Sequence, residues 1–306
     1  MAVSRAKKKR VNKNLVCFIL FAVTVPILNW LIFYIYPNIS SILMAFKNTE
    51  GAWSFENFHR LWIEFSLPTS ELRLALRNTL ITFAVQVAIF IPQVLVSYFI
   101  YRKVPGAGLF RVLFFLPTVL VSVCVSMVFT RMVSTASPIS AWIQELMNLE
   151  YIPELLADSR FANTIVLLHM VWLAFPGDLI IWGGTFARIP EDMLEAARVD
   201  GVNWWQEFTK IIVPLVWPTV ALKMVLTVCG ILGATGQVFL LTNGLYGTMT
   251  LNAWMYITLL NNSGSEFTSN VYNFLSAVGL VMTAVSVCIA MIVRKYTDRA
   301  FNDVDF

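Results

Sequence analysis

Charged and polar residues are scarce enough in this 306-residue chain for those with useful side chains to be followed one by one. Asp178 and Lys223 each stand inside a long apolar run, a carboxylate and an ammonium that suit an ion pair or, less simply, a proton relay. At 1.5 Å per residue each lies roughly 10 Å from the near end of its run, so their depths match. Charges at such depth are costly unless paired, and a structural ion pair, or Lys223 snorkelling to the membrane edge, is expected. A second group, His169, Trp172, Phe175, Gly177, Thr227 and Gln237, offers hydrogen-bonding and aromatic surfaces able to line a cavity. The third is the polar stretch EAARVDG, with Glu195, Ala196, Ala197, Arg198, Asp200 and Gly201.

None of these is a catalytic constellation. There is no G-x-x-x-x-G-K-[ST], so the chain has no loop for cradling phosphate, and neither H-E-x-x-H nor G-x-S-x-G occurs. His59 and His169 form no cluster with carboxylates, and Cys17, Cys124, Cys229 and Cys288 lie singly in four apolar runs. No metal site, disulfide framework or bound cofactor is indicated.

The elements that must hold these residues are membrane helices. Hydrophobic residues make up 58% of the chain and charged residues 13%, with a mean hydropathy of +0.71, far from a soluble domain. A span needs about 20 predominantly apolar residues, and six stretches qualify, near 15–36, 77–100, 109–130, 162–184, 216–240 and 271–293. The chain thus divides into a basic tail (1–14), a six-span domain (15–293) and a second tail (294–306). Of 22 lysines and arginines, fifteen fall in the two tails, the 101–111 connection and the 185–214 connection. The positive-inside rule puts those segments in the cytoplasm. Anionic lipid headgroups account for the basic residues better than nucleic acid does. The first apolar run is too long for a cleaved secretory signal and has no small-residue cleavage site.

Two interruptions stand out within the spans. Phe175-Pro176-Gly177-Asp178 is expected to kink the fourth, and Gly230, Gly233, Ala234 and Gly236 to break the fifth ahead of Gln237. On one side of the membrane, Ser137 and Pro138 have the chemistry to start a short helix, SPISAWIQELMNL. Trp53 and Trp62 suit interfacial anchors.

In the connection 185–214, TFARIPEDMLEAARVDGVNWWQEFTKIIVP, Pro190 fits a first helical position and Glu191 and Asp192 favour the helix N-terminus. The helix should run to about Val199, stop at Gly201, and be followed by a second that Asn203 caps with Gln206 as partner. Pro214 then marks entry into the next span. Ala196 and Ala197 leave a low surface rimmed by Glu191, Asp192, Glu195, Arg198 and Asp200, open to close approach by another protein. Read from local physics alone, a merely solvated amphipathic helix serves as well.

The pattern E-A-A, three residues, G, nine residues, I-x-L-P resembles the cytoplasmic signature of permease subunits of bacterial binding-protein-dependent ABC importers. Here it reads Glu195-Ala196-Ala197, Gly201 and Ile211 to Pro214, with Val213 in place of leucine. The longer run IPEDMLEAARVDGVNWWQEFTKIIVPLVWPT is similar to the carbohydrate-uptake branch, of maltose and multiple-sugar type. So are IYPNISSILMAFKN, ENFHRLW, GLFRVLFFLP, WLAFPGDLIIWGGTFARIP and FLLTNG. The resemblance implies an all-α membrane protein with the type I ABC importer permease fold, resident in the bacterial inner (cytoplasmic) membrane. It implies one half of a heterodimeric pore made with a second homologous permease. Two ATPase subunits that bind ATP and magnesium, and an extracytoplasmic substrate-binding protein, would complete the complex. Glu195, Ala196, Ala197, Arg198, Asp200 and Gly201 would form the coupling helix that docks on an ATPase. For a neutral sugar, the six cavity candidates would line the path, although MVWLAFPG is less polar than in maltose-type relatives, which blocks a residue-by-residue transfer.

An ion-coupled secondary transporter also has broken helices at mid-membrane, but it calls for an internal repeat and several intramembrane carboxylates, whereas Asp178 is the clear case here. A membrane enzyme lacks any nucleophile, metal or phosphate constellation. The sequence leaves the solute open, and gives Trp204 and Trp205 no assigned role.

Overall fold

The computed structural model describes residues 13–231, 236–262, 264 and 268–300. Most of the basic N-terminal tail, the end of the C-terminal tail, and Gly233 and Ala234 lie outside the described residues. Among those described the chain is helical, with one isolated bridge between Lys47 and Trp53.

The chain forms two compact units, residues 1–61 with 266–280, and residues 62–265 with 281–306. The first contains α1 (Lys13–Trp30) and α2 (Tyr36–Ala45), joined through a π-helical turn at Leu31–Ile35, so that one apolar helix runs from Phe21 to Ala45. The span expected to end near 36 therefore continues through YPNISSILMA. Pro37 explains the π turn: its ring crowds the carbonyl four residues back, and widening the preceding turn relieves it. Beyond α2, Asn48 Oδ1 accepts from the Glu50 and Ala52 amides at 3.0 and 2.9 Å. Asn57 Nδ2 donates to the Ala45 and Lys47 carbonyls at 3.0 and 2.8 Å. These bonds satisfy the end of α2 and fold the following turn.

The second unit holds α4 (Glu71–Ala88), α5 (Phe90–Tyr101), α6 (Ala107–Val119), α7 (Ser122–Met132), α8 (Pro138–Leu146) and α9 (Ala162–Phe186). It continues with α10 (Glu191–Val199), α11 (Trp204–Glu207), a π turn at Phe208–Ile212, α12 (Val213–Cys229), α13 (Gly236–Thr242) and α14 (Leu251–Asn262). Helix α3 (Glu56–Ser66) joins the units in sequence, and α15 (Thr268–Ala300) contributes residues to both. Ser70 caps α4 through the Leu72 amide, and Pro92, which has no N–H to offer Ala88, loosens the helix at Ile89 before it resumes as α5.

Five helices are long and apolar enough to cross a membrane: Phe21–Ala45, Glu71–Tyr101, Ala162–Phe186, Trp204–Cys229 and Ser269–Thr297. The third expected span is different. It is two helices, α6 and α7, bent by 108° at Leu120 and Val121, both of which are extended. The run holds Arg111 near its start and Pro117 one turn before the bend, but Leu120 and Val121 themselves are ordinary apolar residues, so nothing at the bend itself marked it. The fourth span is one continuous helix, α9, through Pro176 and Gly177. Its neighbour α5 packs alongside, and Gln93 Nε2 donates to the Ala174 carbonyl at 3.3 Å, two residues before the proline. The fifth span does break, with α12 ending before Gly230 and α13 starting at Gly236.

Candidate functional site

The helix α10 is built by its sequence punctuation. Pro190, expected as the first helical residue, is instead the N-cap, with an extended ψ of 128° and Glu191 and Asp192 in the first turn. At the other end Gly201 has φ +73°. Its amide donates to the Arg198 carbonyl at 3.1 Å and the Val202 amide to the Ala197 carbonyl at 3.0 Å, the paired bonds of a Schellman stop. Asn203 and Gln206 then make a reciprocal capping box, with bonds of 2.9 and 3.2 Å. The second short helix is not separate, because it runs straight into the fifth span. Pro214 lies inside that helix, and the π turn at Phe208–Ile212 directly precedes it, as the other π turn precedes Pro37.

Of the coupling candidates, Glu195, Ala196, Arg198, Asp200 and Gly201 are exposed. Ala197 is not on that surface; it is 5% exposed and turned inward beside Leu194. The two alanines are adjacent, so a helical turn of 100° per residue points them in different directions. The outward face instead carries Val199, 88% exposed, next to Ala196. Leu194 belongs to one core cluster with Tyr98 of α5, Trp182 and Phe186 of α9, and Phe208, Ile212 and Val216 of the fifth span. A cleft of about 210 Å³ separates α10 from the α5–α6 turn, lined by Arg102, Lys103, Glu191, Glu195 and Arg198 among others. Its mixed charges offer both a donor and an acceptor to an incoming partner.

Beneath α10 lies a polar group that sequence reasoning missed. Glu207 is 2% exposed; Tyr98 Oη donates to its Oε1 at 3.0 Å, and Arg102 Nη2 stands 3.8 Å from Oε2. Arg102 also donates to Tyr98 Oη at 3.3 Å. Sequence periodicity holds no signal for this group, because its members are about a hundred residues apart. Trp204 and Trp205 now have a place: Trp204 packs on Phe99, ring centroids 5.6 Å apart, and Trp205 on Phe208 at 6.0 Å. Trp204 braces the start of the fifth span against the end of α5, and Trp205 packs along its own span.

Deeper in the helices, Lys223 Nζ donates to Asp178 Oδ1, joining α12 to α9, with both side chains less than one-fifth exposed. The cavity candidates separate. Trp172 and Phe175 line a groove of about 470 Å³ between α6 and α9, together with Phe110, Phe114 and Pro176. The Phe114 and Phe175 rings lie 5.3 Å apart. No charged residue lines it. His169 lies elsewhere, fully buried against α7, with Nε2 3.5 Å from Ser126 Oγ and its ring 4.6 Å from Phe129. Gly177 is exposed beside Pro176, while Thr227 on α12 and Gln237 on α13 are half-buried and do not line the groove. Among the described residues no cluster of His, Cys, Asp and Glu could hold a metal ion.

On the opposite end of the second unit, Asn78 Nδ2 donates to the Gly247 and Met249 carbonyls at 2.7 and 2.9 Å, and Thr79 Oγ1 accepts from the Leu251 amide at 2.9 Å. These fix the turn after FLLTNG, where Asn243 and Gly244 both have positive φ.

A family model described as binding-protein-dependent transport system inner membrane component matches residues 1–303. The chain is 27% identical over 238 residues to the lactose transport system permease protein of Rhizobium radiobacter, covering 74% of this chain and 77% of that one. It is 21% identical over 277 residues to the multiple sugar-binding transport system permease protein of Streptococcus mutans, covering 90% and 93%. Among solved structures, a chain of a bacterial ABC transporter that imports the acidic polysaccharide alginate superposes with a TM-score of 0.75 at 21% identity, covering 92% of this chain and 96% of that one. That similarity establishes the fold.

Proposed function

The chain belongs to the binding-protein-dependent transport system inner membrane components, and from that premise we propose that the outward face of α10 is where a partner ATPase drives the membrane helices. The chain itself is the non-catalytic permease subunit of an ABC importer. The observation that carries the proposal is the two-sided construction of α10. Leu194 and Ala197 seat it on the core cluster, while Glu195, Ala196, Val199 and Gly201 are left bare. A push on the bare face is transmitted to α5, α9 and the fifth span together, because all three share the cluster under Leu194. Two ATPase subunits, a second permease and an external binding protein complete the complex, with α10 and both termini in the cytoplasm. The fifteen basic residues on that side support this orientation.

The solute is a sugar or oligosaccharide without net charge. The relatives named for lactose and multiple-sugar transport support this class, as does the uncharged aromatic groove of Trp172 and Phe175. Aromatic faces suit the C–H surfaces of a sugar ring, and ionic groups would bind an acidic polymer instead.

Replacing Ala196 with Trp in the assembled complex tests the docking face. Stimulation of ATP hydrolysis by the loaded binding protein should fall about tenfold or more, the equivalent of roughly 1.4 kcal/mol of docking energy, while the subunits still co-purify. Undiminished stimulation would place the coupling contact elsewhere.

A further inference from the structure

A cleft of about 340 Å³ opens between α5, α6 and α9 at the end of the bundle that carries α10, and the coupling and sugar readings do not use it. Its walls include Ser97 and Ile100 of α5, Arg111 and Phe115 of α6, and Gly183 and Gly184 of α9. The space beside both glycines is open, since a Cβ added to either would meet no atom within 4 Å. Apolar walls of this size suit a flexible hydrocarbon chain better than a sugar, which would find few hydrogen-bonding partners.

The guanidinium at the mouth selects the rest of the ligand. Arg111 is exposed and has no ion-pair partner among the described residues. Its neighbours Leu109 and Val112, which do not line the aromatic groove, are both more than half exposed, the composition of a surface facing lipid. An unpaired charge on such a surface is tolerable only where it reaches a headgroup. Arg111 can do so, because it stands one turn inside α6, about 6 Å from the helix start. Lys103, exposed in the turn that precedes α6, adds positive charge, while Arg102 beside it is taken up by Glu207.

We propose that this cleft holds an anionic phospholipid, with one acyl chain lying over Gly183 and Gly184 and the phosphate on Arg111. Basic pockets between membrane helices recognise lipid phosphates through this combination of charge and apolar depth. The site borders α9 one turn before the segment that leads into α10, so an occupant stiffens the lever through which α10 is moved.

The complete complex, carried in lipid discs of equal phosphatidylglycerol and phosphatidylcholine, is released into a native mass spectrometer and its retained lipids are counted. Wild type should keep phosphatidylglycerol in preference to phosphatidylcholine. Arg111→Gln should lower that preference about fivefold, the worth of one basic residue near a membrane surface, and Arg111→Lys should keep most of it. Gly184→Leu should expel the lipid with the charge intact. Millimolar inorganic phosphate should not displace it. Equal retention of the two lipids by wild type overturns the proposal, as does an unchanged preference in assembled Arg111→Gln. Displacement by phosphate alone would also overturn it, revealing a soluble-anion site. If Gly184→Leu or Arg111→Gln fails to assemble, the wild-type preference and its survival in Arg111→Lys decide.

Discussion

Asp178 and Lys223 are the clearest case in which single residues can be argued by magnitude. Each side chain would be costly alone within a span, and the structure joins them across α9 and α12. Removing one partner leaves the other buried and uncompensated, so Asp178→Asn or Lys223→Met should each destabilise the assembled complex by about 3 kcal/mol. The double variant should recover at least about 1 kcal/mol, a coupling readable from thermal unfolding in detergent. Additive losses would show that the contact contributes nothing. Their matching depth was legible from the sequence, because two charges equally far from a shared membrane edge have few alternatives to each other. His169 shows the converse. A histidine within a span has chemistry that suits a pathway, but the face it occupies on α9 turns it toward Ser126 and Phe129. Only packing could reveal that.

At the scale of elements, α10 is set by its ends. The αL conformation at Gly201 costs an L-residue about 1 kcal/mol, and a Cβ there has open space around it. Gly201→Ala should therefore lower stability by only that amount and leave coupled ATP hydrolysis measurable. Gly201→Pro cannot reach φ +73° and loses the bond to the Arg198 carbonyl; it should abolish coupling while the complex still assembles. If the two variants behave alike in a coupled ATPase assay, the geometry of the stop is not what aims the helix. The capping box at Asn203 and the glycine stop were readable because caps are local in sequence. The bend between α6 and α7 was not, since Leu120 and Val121 carry no breaker chemistry and Pro117, one turn earlier, sits inside α6 without ending it. Pro176 lies inside α9 without ending it, with α5 packed alongside. The buried Glu207 is a longer-range case again: its partner Tyr98 lies on another helix.

At the scale of the whole molecule, the chain has apolar helices long enough to cross the bilayer and a short helix, α10, with one exposed face, and no phosphate-cradling motif of its own. Vesicles containing this chain alone should show no sugar uptake under a proton or sodium gradient, and the complete complex should transport only with ATP. Within that complex, Trp172→Ala should slow uptake of a neutral sugar about tenfold, roughly 1.4 kcal/mol of lost aromatic contact, and leave binding-protein docking unchanged. Gradient-driven uptake by the single chain would favour a secondary transporter. The sequence by itself determined the membrane class, the span inventory to within one broken helix, and the position and ends of the short helix α10. Those follow from hydrophobic run length, the distribution of lysine and arginine, and caps only a few residues long. Tertiary structure alone decided which of two adjacent alanines faces outward, which aromatic residues share a groove, and which carboxylate is buried beneath the loop. Each of these depends on the rotation of one helix against another, and a helix's apolar run does not encode its neighbours.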